Sequence, residues 1–88
     1  MIETSFIVPN RSGLHTRTAH KLVSATMGYQ SSVLIGNEDR LVDAKSILSL
    51  MLLEATQGSE LRVVIDGPDE EQALKAILEL VDNRFGED

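Results

Sequence analysis

The sequence lacks cysteine and tryptophan altogether. Without cysteine there is no disulfide framework, no thiolate nucleophile and no zinc site with cysteine ligands. Long apolar runs are also missing: the longest covers residues 50–53, whereas a helix that crosses a bilayer needs about 20 apolar residues. The first residues show no basic segment followed by an apolar stretch, so no secretory signal is expected. These absences predict a soluble cytoplasmic protein with no membrane partner.

The chain has 88 residues, of which 42% are hydrophobic. This is enough for one modest core, so we expect a single domain over residues 1–88 and no cleft between two domains. The sequence contains no internal repeat and no low-complexity segment. A formal net charge of −6 argues against nucleic acid as a partner, because nucleic-acid binding requires a basic surface. We expect a monomer.

The charges are unevenly distributed along the chain. Residues 1–37 contain three bases and one acid, whereas residues 38–88 contain five bases and thirteen acids. No carboxylate side chain occurs between Thr4 and Asn37, and both histidines, His15 and His20, lie in this acid-free window. Such a window is suited to an anionic ligand, although chance remains an alternative in a chain this small.

Hydrophobic periodicity and turn residues predict seven elements. The strands are predicted at residues 2–8, 32–35, 40–43 and 61–65, and the helices at 16–27, 47–55 and 69–83. Gly28 is expected to end the first helix in a left-handed conformation. The order β-α-β-β-α-β-α predicts the α+β class, with one four-stranded antiparallel sheet and three helices on one face.

His15 stands where a loop meets the first predicted helix. The first turn of a helix has unpaired backbone N–H groups, and its dipole favours negative charge by roughly 0.3–1 kcal/mol. Arg17 adds a guanidinium two residues later, and imidazole is a competent nucleophile at neutral pH. The sequence therefore points to a phosphoryl group on His15, in reach of the N–H groups of Thr16 and Arg17. The alternative is that His15 is a helix cap or an exposed loop residue.

The segment Gly13-Leu14-His15-x-Arg17-x-Ala19 resembles the Gly-Leu-His-Ala-Arg-Pro-Ala signature of the histidine-containing phosphocarrier family, HPr. HPr is the small carrier of the bacterial phosphoenolpyruvate-dependent sugar phosphotransferase system. The length, the element order and the segment 44–48 agree with the family as well. Residues 83–88 are similar to the nitrogen-branch carriers, NPr. The resemblance implies an HPr-like open-faced β-sandwich.

The resemblance also implies a function. His15 would accept a phosphoryl group from enzyme I on Nδ1 and donate it to an enzyme IIA domain, with no cofactor and with partner enzymes supplying the catalysis. Arg17 would neutralise the phosphoryl group, and Thr16 and Ser12 would lie beside it, although a turn role for Ser12 is the alternative.

Two positions depart from the family pattern: Thr16 replaces the usual alanine and Thr18 the usual proline. Because Thr18 lacks the fixed φ of proline, we expect the helix to start here but less rigidly.

Ser46 precedes the second helix and is expected to cap the N–H of Leu48 or Ser49. In many HPr proteins the serine at this place is phosphorylated by the HPr kinase/phosphorylase, so the resemblance raises regulation at Ser46, while a cap alone is the alternative. The second helix is apolar around nearly all its circumference, which predicts an exposed docking patch. Its candidate residues are Ile47, Leu48 and Met51, although each could instead be buried.

His20 is interpreted as a surface residue near the site and the docking patch. It follows His15 by five positions, not the four of a helical metal pair, so no metal site is expected. Two alternatives to the carrier stay open. One is a regulatory module whose phosphorylation controls binding to a transcription factor or enzyme. The other is a ferredoxin-like ligand-binding domain in which His15 is incidental.

Overall fold

The computed structural model describes residues 1–87. Its strands are β1 (Ile2–Ile7), β2 (Ser32–Asn37), β3 (Arg40–Asp43) and β4 (Glu60–Asp66), and its helices are α1 (Thr16–Met27), α2 (Ile47–Met51) and α3 (Glu70–Asp82). A 3₁₀ turn at Arg84–Gly86 follows α3. The strands form one antiparallel sheet in the order β1-β4-β2-β3. The predicted α+β fold and element order are confirmed. No helix within residues 1–87 has the length and apolar character needed to cross a membrane.

The core lies between one face of the sheet and the helices. Strand β4 alternates, with Leu61, Val63 and Ile65 buried, its charged residues exposed and Val64 half-buried. Leu22 of α1 and Ile77 of α3 are fully buried against this face. Every second residue of the strand is buried, and every third or fourth residue of the helices. The strands and helices therefore contribute side chains to one shared apolar layer. The other face of the sheet is open, as the sandwich prediction requires.

The prediction for α2 was wrong in length, because the helix ends at Met51 rather than at residue 55. Glu54 has a left-handed φ of 51°, which cannot continue a right-handed helix. The chain turns here to bring Ala55 back to the loop before α1, where the Ala55 carbonyl accepts the Leu14 N–H at 2.9 Å. This tertiary contact outweighs the helical preference of the apolar run.

The prediction for Gly28 was also wrong. Gly28 ends α1 with a φ of −77°, in the right-handed region, and the space around it is open. The remaining differences are shifts of one or two residues at element ends. Strand β1 stops at Ile7, β2 runs on to Asn37, and β4 gains one residue at each end.

Candidate functional site

The loop before α1 is fixed by backbone contacts that allow no side chain at residue 13. Gly13 has a φ of +70°, and a Cβ there would lie 2.5 Å from the Ala55 carbonyl oxygen. The fully buried Asn10 donates from Nδ2 to the Gly13 carbonyl at 2.8 Å. These contacts hold the loop against the turn after α2 and place His15 at the N-cap position of α1.

Thr18 completes the N-terminus of α1 with its side chain. Its hydroxyl oxygen accepts the His15 backbone N–H at 2.9 Å and lies 3.1 Å from both the Gly13 and the His15 carbonyl oxygens. The residue is fully buried. The His15 ring and the Thr18 hydroxyl form a reciprocal capping box. The expected start of α1 is confirmed, and the Thr18 hydroxyl caps it at the position where the family pattern has proline.

The His15 imidazole is held at both nitrogens. Nδ1 accepts the backbone N–H of Arg17 at 3.3 Å, and Nε2 lies 3.1 Å from Oε1 of Glu87. The side chain is 34% exposed, so it is accessible to a partner protein while the ring plane is fixed.

Glu87 brings a carboxylate into the acid-free window. Its Oε1 also accepts from Nδ2 of Asn10 at 3.2 Å, and its Oε2 lies 3.5 Å from Nε of Arg17. The side chain is 10% exposed. The hydrogen bond with His15 holds the pKa of Glu87 below its ordinary value, against the opposing effect of desolvation. The window that is free of acids in sequence is therefore not free of acids in space.

The segment after α3 is anchored so that Glu87 reaches His15. Phe85 is buried and meets Phe6 edge-on, with the ring centroids 6.5 Å apart. Nζ of Lys21, on α1, donates to the Phe85 carbonyl. Arg84 and Phe85 both have left-handed φ angles, an unfavourable conformation for residues with a Cβ. Packing of Phe85 against the core holds this tight turn in place.

An open cavity of about 560 Å³ lies over the imidazole. It is lined by Arg11, Ser12, His15, Arg17, Gly86 and Glu87. Two guanidinium groups and an imidazole face one carboxylate, so the lining favours an anion even with Glu87 present. An anion bound at Nδ1 would also meet the N-terminus of α1.

The structure places the other predicted residues around this cavity in different ways. Ser12 lines it, and Thr16 is exposed beside it, with its hydroxyl donating to Sδ of Met51 at 3.7 Å. His20 is exposed on α1. Ser46 is the N-cap of α2, and its hydroxyl accepts the Ser49 N–H at 3.3 Å, one of the two capping partners predicted.

The face of α2 next to Thr16 is apolar and exposed. Leu48 is 68% exposed and Leu52 is 53% exposed, and Met51 lies between them in sequence and is also exposed. Spacings of three and four residues put Met51, and Leu52 at the C-cap of α2, on the same side as Leu48. Ile47, by contrast, is half-buried and packs against the core. An exposed apolar group next to a reactive side chain is typical of a docking surface.

Sequence inspection missed Asn10, Arg11 and Glu87. Asn10 is a residue type that turns favour, and nothing in the sequence indicates that it would be fully buried. Arg11 could have been noted, because it lies in the acid-free window only four residues before His15. Glu87 carries no local signal at all, since 72 residues separate it from the imidazole that it contacts.

Comparison with known proteins identifies the family of the chain. The family described as "PTS HPr component phosphorylation site" matches residues 2–83. The chain belongs to the HPr family. The phosphocarrier protein HPr of Xylella fastidiosa is 48% identical over 88 residues, which is 100% of this chain and 99% of the relative. The phosphocarrier protein NPr of Escherichia coli is 34% identical over 82 residues, or 92% of this chain and 91% of the relative.

Solved HPr structures share the whole fold. The crystal structure of an HPr from Thermoanaerobacter tengcongensis superposes with a TM-score of 0.94 at 34% identity, covering 100% of this chain and 99% of that one. The Bacillus subtilis catabolite repression containing protein Crh superposes with a TM-score of 0.75 at 30% identity, covering 96% and 97%. The chain is thus a phosphocarrier of the HPr type, and the family works with the enzymes of the phosphotransferase system.

Proposed function

We propose that this HPr-type chain carries its phosphoryl group on Nδ1 of His15, accepting it from enzyme I and passing it to an enzyme IIA domain. The observation that carries the proposal is the position of Nδ1. It lies at the N-terminus of α1 and accepts the Arg17 N–H at 3.3 Å, on a side chain that lines the open cavity.

The transfer needs little beyond positioning and charge. The lone pair of Nδ1 forms a bond to phosphorus, while the bond from phosphorus to the donor atom breaks and its electron pair returns to the donor. The phosphoryl group passes from one carrier to another, so the exchange is close to balanced and its rate depends on orientation and electrostatics. Arg17 and the N-terminus of α1 supply positive potential where the phosphoryl oxygens would lie.

Partner docking is proposed for the exposed face of α2. Leu48, Met51 and Leu52 form its apolar part, and the contact between Thr16 and Met51 joins this face to the reactive site. Lys21 and Arg17 on α1 add positive charge nearby, which suits acidic partner surfaces. Enzyme I and the enzyme IIA domains would use the same surface in turn, because both must reach the same imidazole.

The carrier function is tested by phosphorylation. Incubation with phosphoenolpyruvate and enzyme I should produce an acid-labile phosphate that is lost in His15→Ala. His20→Ala is the control, since it removes the other histidine, which is exposed on the same segment, and at completion of the reaction it should carry as much label as the wild type. An unlabelled wild-type protein, or label that persists in His15→Ala, would refute the proposal.

A second candidate function is regulatory. The similarity to Crh, described as a catabolite repression protein, favours it. In that case His15 or Ser46 would be phosphorylated to control binding to another protein, without onward transfer. Adding an enzyme IIA domain to the labelled carrier separates the two, because loss of label from the carrier supports transfer and retention supports regulation. Mass spectrometry after incubation with an HPr kinase/phosphorylase tests Ser46 directly.

A further inference from the structure

The hydrogen bonds around His15 determine which ring nitrogen is the nucleophile. A backbone N–H can only donate, so the N–H of Arg17, 3.3 Å from Nδ1, requires a lone pair there. The proton of the neutral ring must then be on Nε2. Oε1 of Glu87, 3.1 Å from Nε2, is placed to accept that proton. Two independent contacts therefore agree on one tautomer.

We propose that Glu87 is a positioning residue for phosphoryl transfer, holding the His15 imidazole as the Nε2–H tautomer with its lone pair on Nδ1. This inference rests on the proposed function and extends it to a residue outside the signature segment. Histidines that act as nucleophiles, bases or metal ligands are commonly oriented in this way by a carboxylate on the second ring nitrogen.

Glu87 also gains importance as the reaction proceeds. When Nδ1 releases the Arg17 N–H and its lone pair forms the bond to phosphorus, the ring acquires positive charge and the proton stays on Nε2. A carboxylate at 3.1 Å from that nitrogen interacts more strongly with the charged ring than with the neutral one. Such an interaction accelerates the chemical step, because it is stronger in the transition state than in the ground state.

Neighbouring residues hold the Glu87 carboxylate next to the His15 ring. The Asn10 amide binds the same Oε1, and the buried Phe85 fixes the backbone two residues earlier. Oε2 of Glu87 is buried without a hydrogen bond and lies 3.5 Å from Nε of Arg17. Arg17 can therefore turn toward a phosphoryl group on Nδ1 without breaking the contact between Glu87 and Nε2.

Imidazole ¹⁵N NMR of the unphosphorylated protein tests the tautomer. At alkaline pH, where a histidine ring is neutral, wild-type Nδ1 should resonate as an acceptor nitrogen and the Nε2 proton should be visible. Glu87→Gln keeps an acceptor oxygen and should preserve both signals. Glu87→Ala should lose the Nε2 proton to rapid exchange and shift both nitrogens toward averaged values. A Glu87→Ala spectrum like that of the wild type, or an Nδ1–H tautomer in the wild type, overturns the inference.

Transfer kinetics with enzyme I give the second measurement. Glu87→Ala should lower kcat about tenfold, the factor that corresponds to losing a hydrogen bond to a charged group, with KM for the carrier unchanged. Glu87→Gln should fall between it and the wild type, and Glu79→Ala, an exposed acid on α3, should match the wild type. An unchanged kcat in Glu87→Ala, or a rise in KM alone, overturns the inference. If the wild type is not phosphorylated at all, the proposed function fails, whereas the NMR result still decides the role of Glu87.

Discussion

The Thr18 hydroxyl accepts the backbone N–H of His15 at 2.9 Å, so a side chain in the first turn of α1 holds the main chain of the reactive residue. Within the family pattern this position carries proline, which has no hydroxyl and no N–H. Proline would favour the start of the helix through its fixed φ angle. Thr18 favours it instead through a hydrogen bond from its side chain.

Thr18→Val should lower the free energy of unfolding by about 1–2 kcal/mol, because it removes a cap and leaves the His15 N–H without its partner. The exchange rate of the His15 amide hydrogen should rise, and phosphoryl transfer should slow. Urea unfolding, hydrogen exchange and the transfer rate measure the three effects. Thr26→Val is the control, since Thr26 is equally buried at the far end of α1 and its hydroxyl donates to the Leu22 carbonyl. It should leave the His15 amide and the transfer rate unchanged, and equal transfer rates in Thr18→Val and the wild type would contradict the prediction.

Gly13→Ala should destabilise the protein by more than about 2 kcal/mol, because a left-handed residue with a Cβ is strained and this Cβ would overlap the Ala55 carbonyl. Gly28→Ala should instead stabilise it by about 0.4–1 kcal/mol, since its φ suits any residue and the space is open. Chemical denaturation of both variants measures the contrast. Similar unfolding midpoints for the two would show that the loop before α1 is not held as described.

Arg11→Gln should weaken phosphorylation of His15 several-fold, and the loss should shrink at high salt, where charges on the surface are screened. Arg11 lines the cavity, whereas Arg17 already faces Oε2 of Glu87. Arg40→Gln, at the exposed start of β3, removes the same charge elsewhere and is the control. The rate of phosphorylation by enzyme I, measured at two salt concentrations for both variants, tests this prediction. Equal rates for the two variants would count against a role for Arg11.

Leu48→Ser should raise KM for enzyme I while leaving the free energy of unfolding within about 0.5 kcal/mol of the wild type, since the side chain is 68% exposed. Leu41→Ser is the matched control, because Leu41 is 37% exposed on β3, which is not part of the proposed docking surface. Steady-state phosphorylation by enzyme I, with phosphoenolpyruvate in excess, measures KM for each carrier. An unchanged KM in Leu48→Ser would remove the exposed face of α2 from the proposed docking surface.

Asp69 should make stability depend on pH in the acid range. The Ser31 hydroxyl and the backbone N–H groups of Gln30 and Ser31 hydrogen-bond its carboxylate and lower its pKa from the ordinary value of 3.8. A lowered pKa in the folded state adds stability that is complete above pH 3.8 and is lost as the pH falls through the folded-state pKa. The gap in unfolding free energy between the wild type and Asp69→Asn should therefore close on acidification.

Urea unfolding at a series of pH values measures that gap. Ser31→Ala removes the donor with the largest effect on the Asp69 pKa, so it should reproduce part of the change. Curves for the wild type and Asp69→Asn that stay parallel down to strongly acid pH would contradict the assignment.

Much of the fold was predictable because its signals are local. The alternation of Leu61, Val63 and Ile65 identifies a strand with one buried face, and the recurrence of Ala19, Leu22 and Val23 identifies the buried face of α1. The length of α2 was not predictable in this way. Its apolar run continues past Met51, and it is the contact between Ala55 and Leu14 that ends the helix.

The sequence by itself placed His15 where a loop meets a helix, with Arg17 two residues on, because helix-start signals and helix dipoles act over one turn. It also determined the family, since the signature segment and the element order lie along the chain. Only the tertiary structure determined which charged groups surround His15 and which nitrogen of its ring carries the proton. The first 37 residues have no acid after Glu3, yet the fold brings Glu87 to within 3.1 Å of the imidazole. Packing of Phe85 into the core produces that approach, and no pattern within a few residues of His15 encodes it.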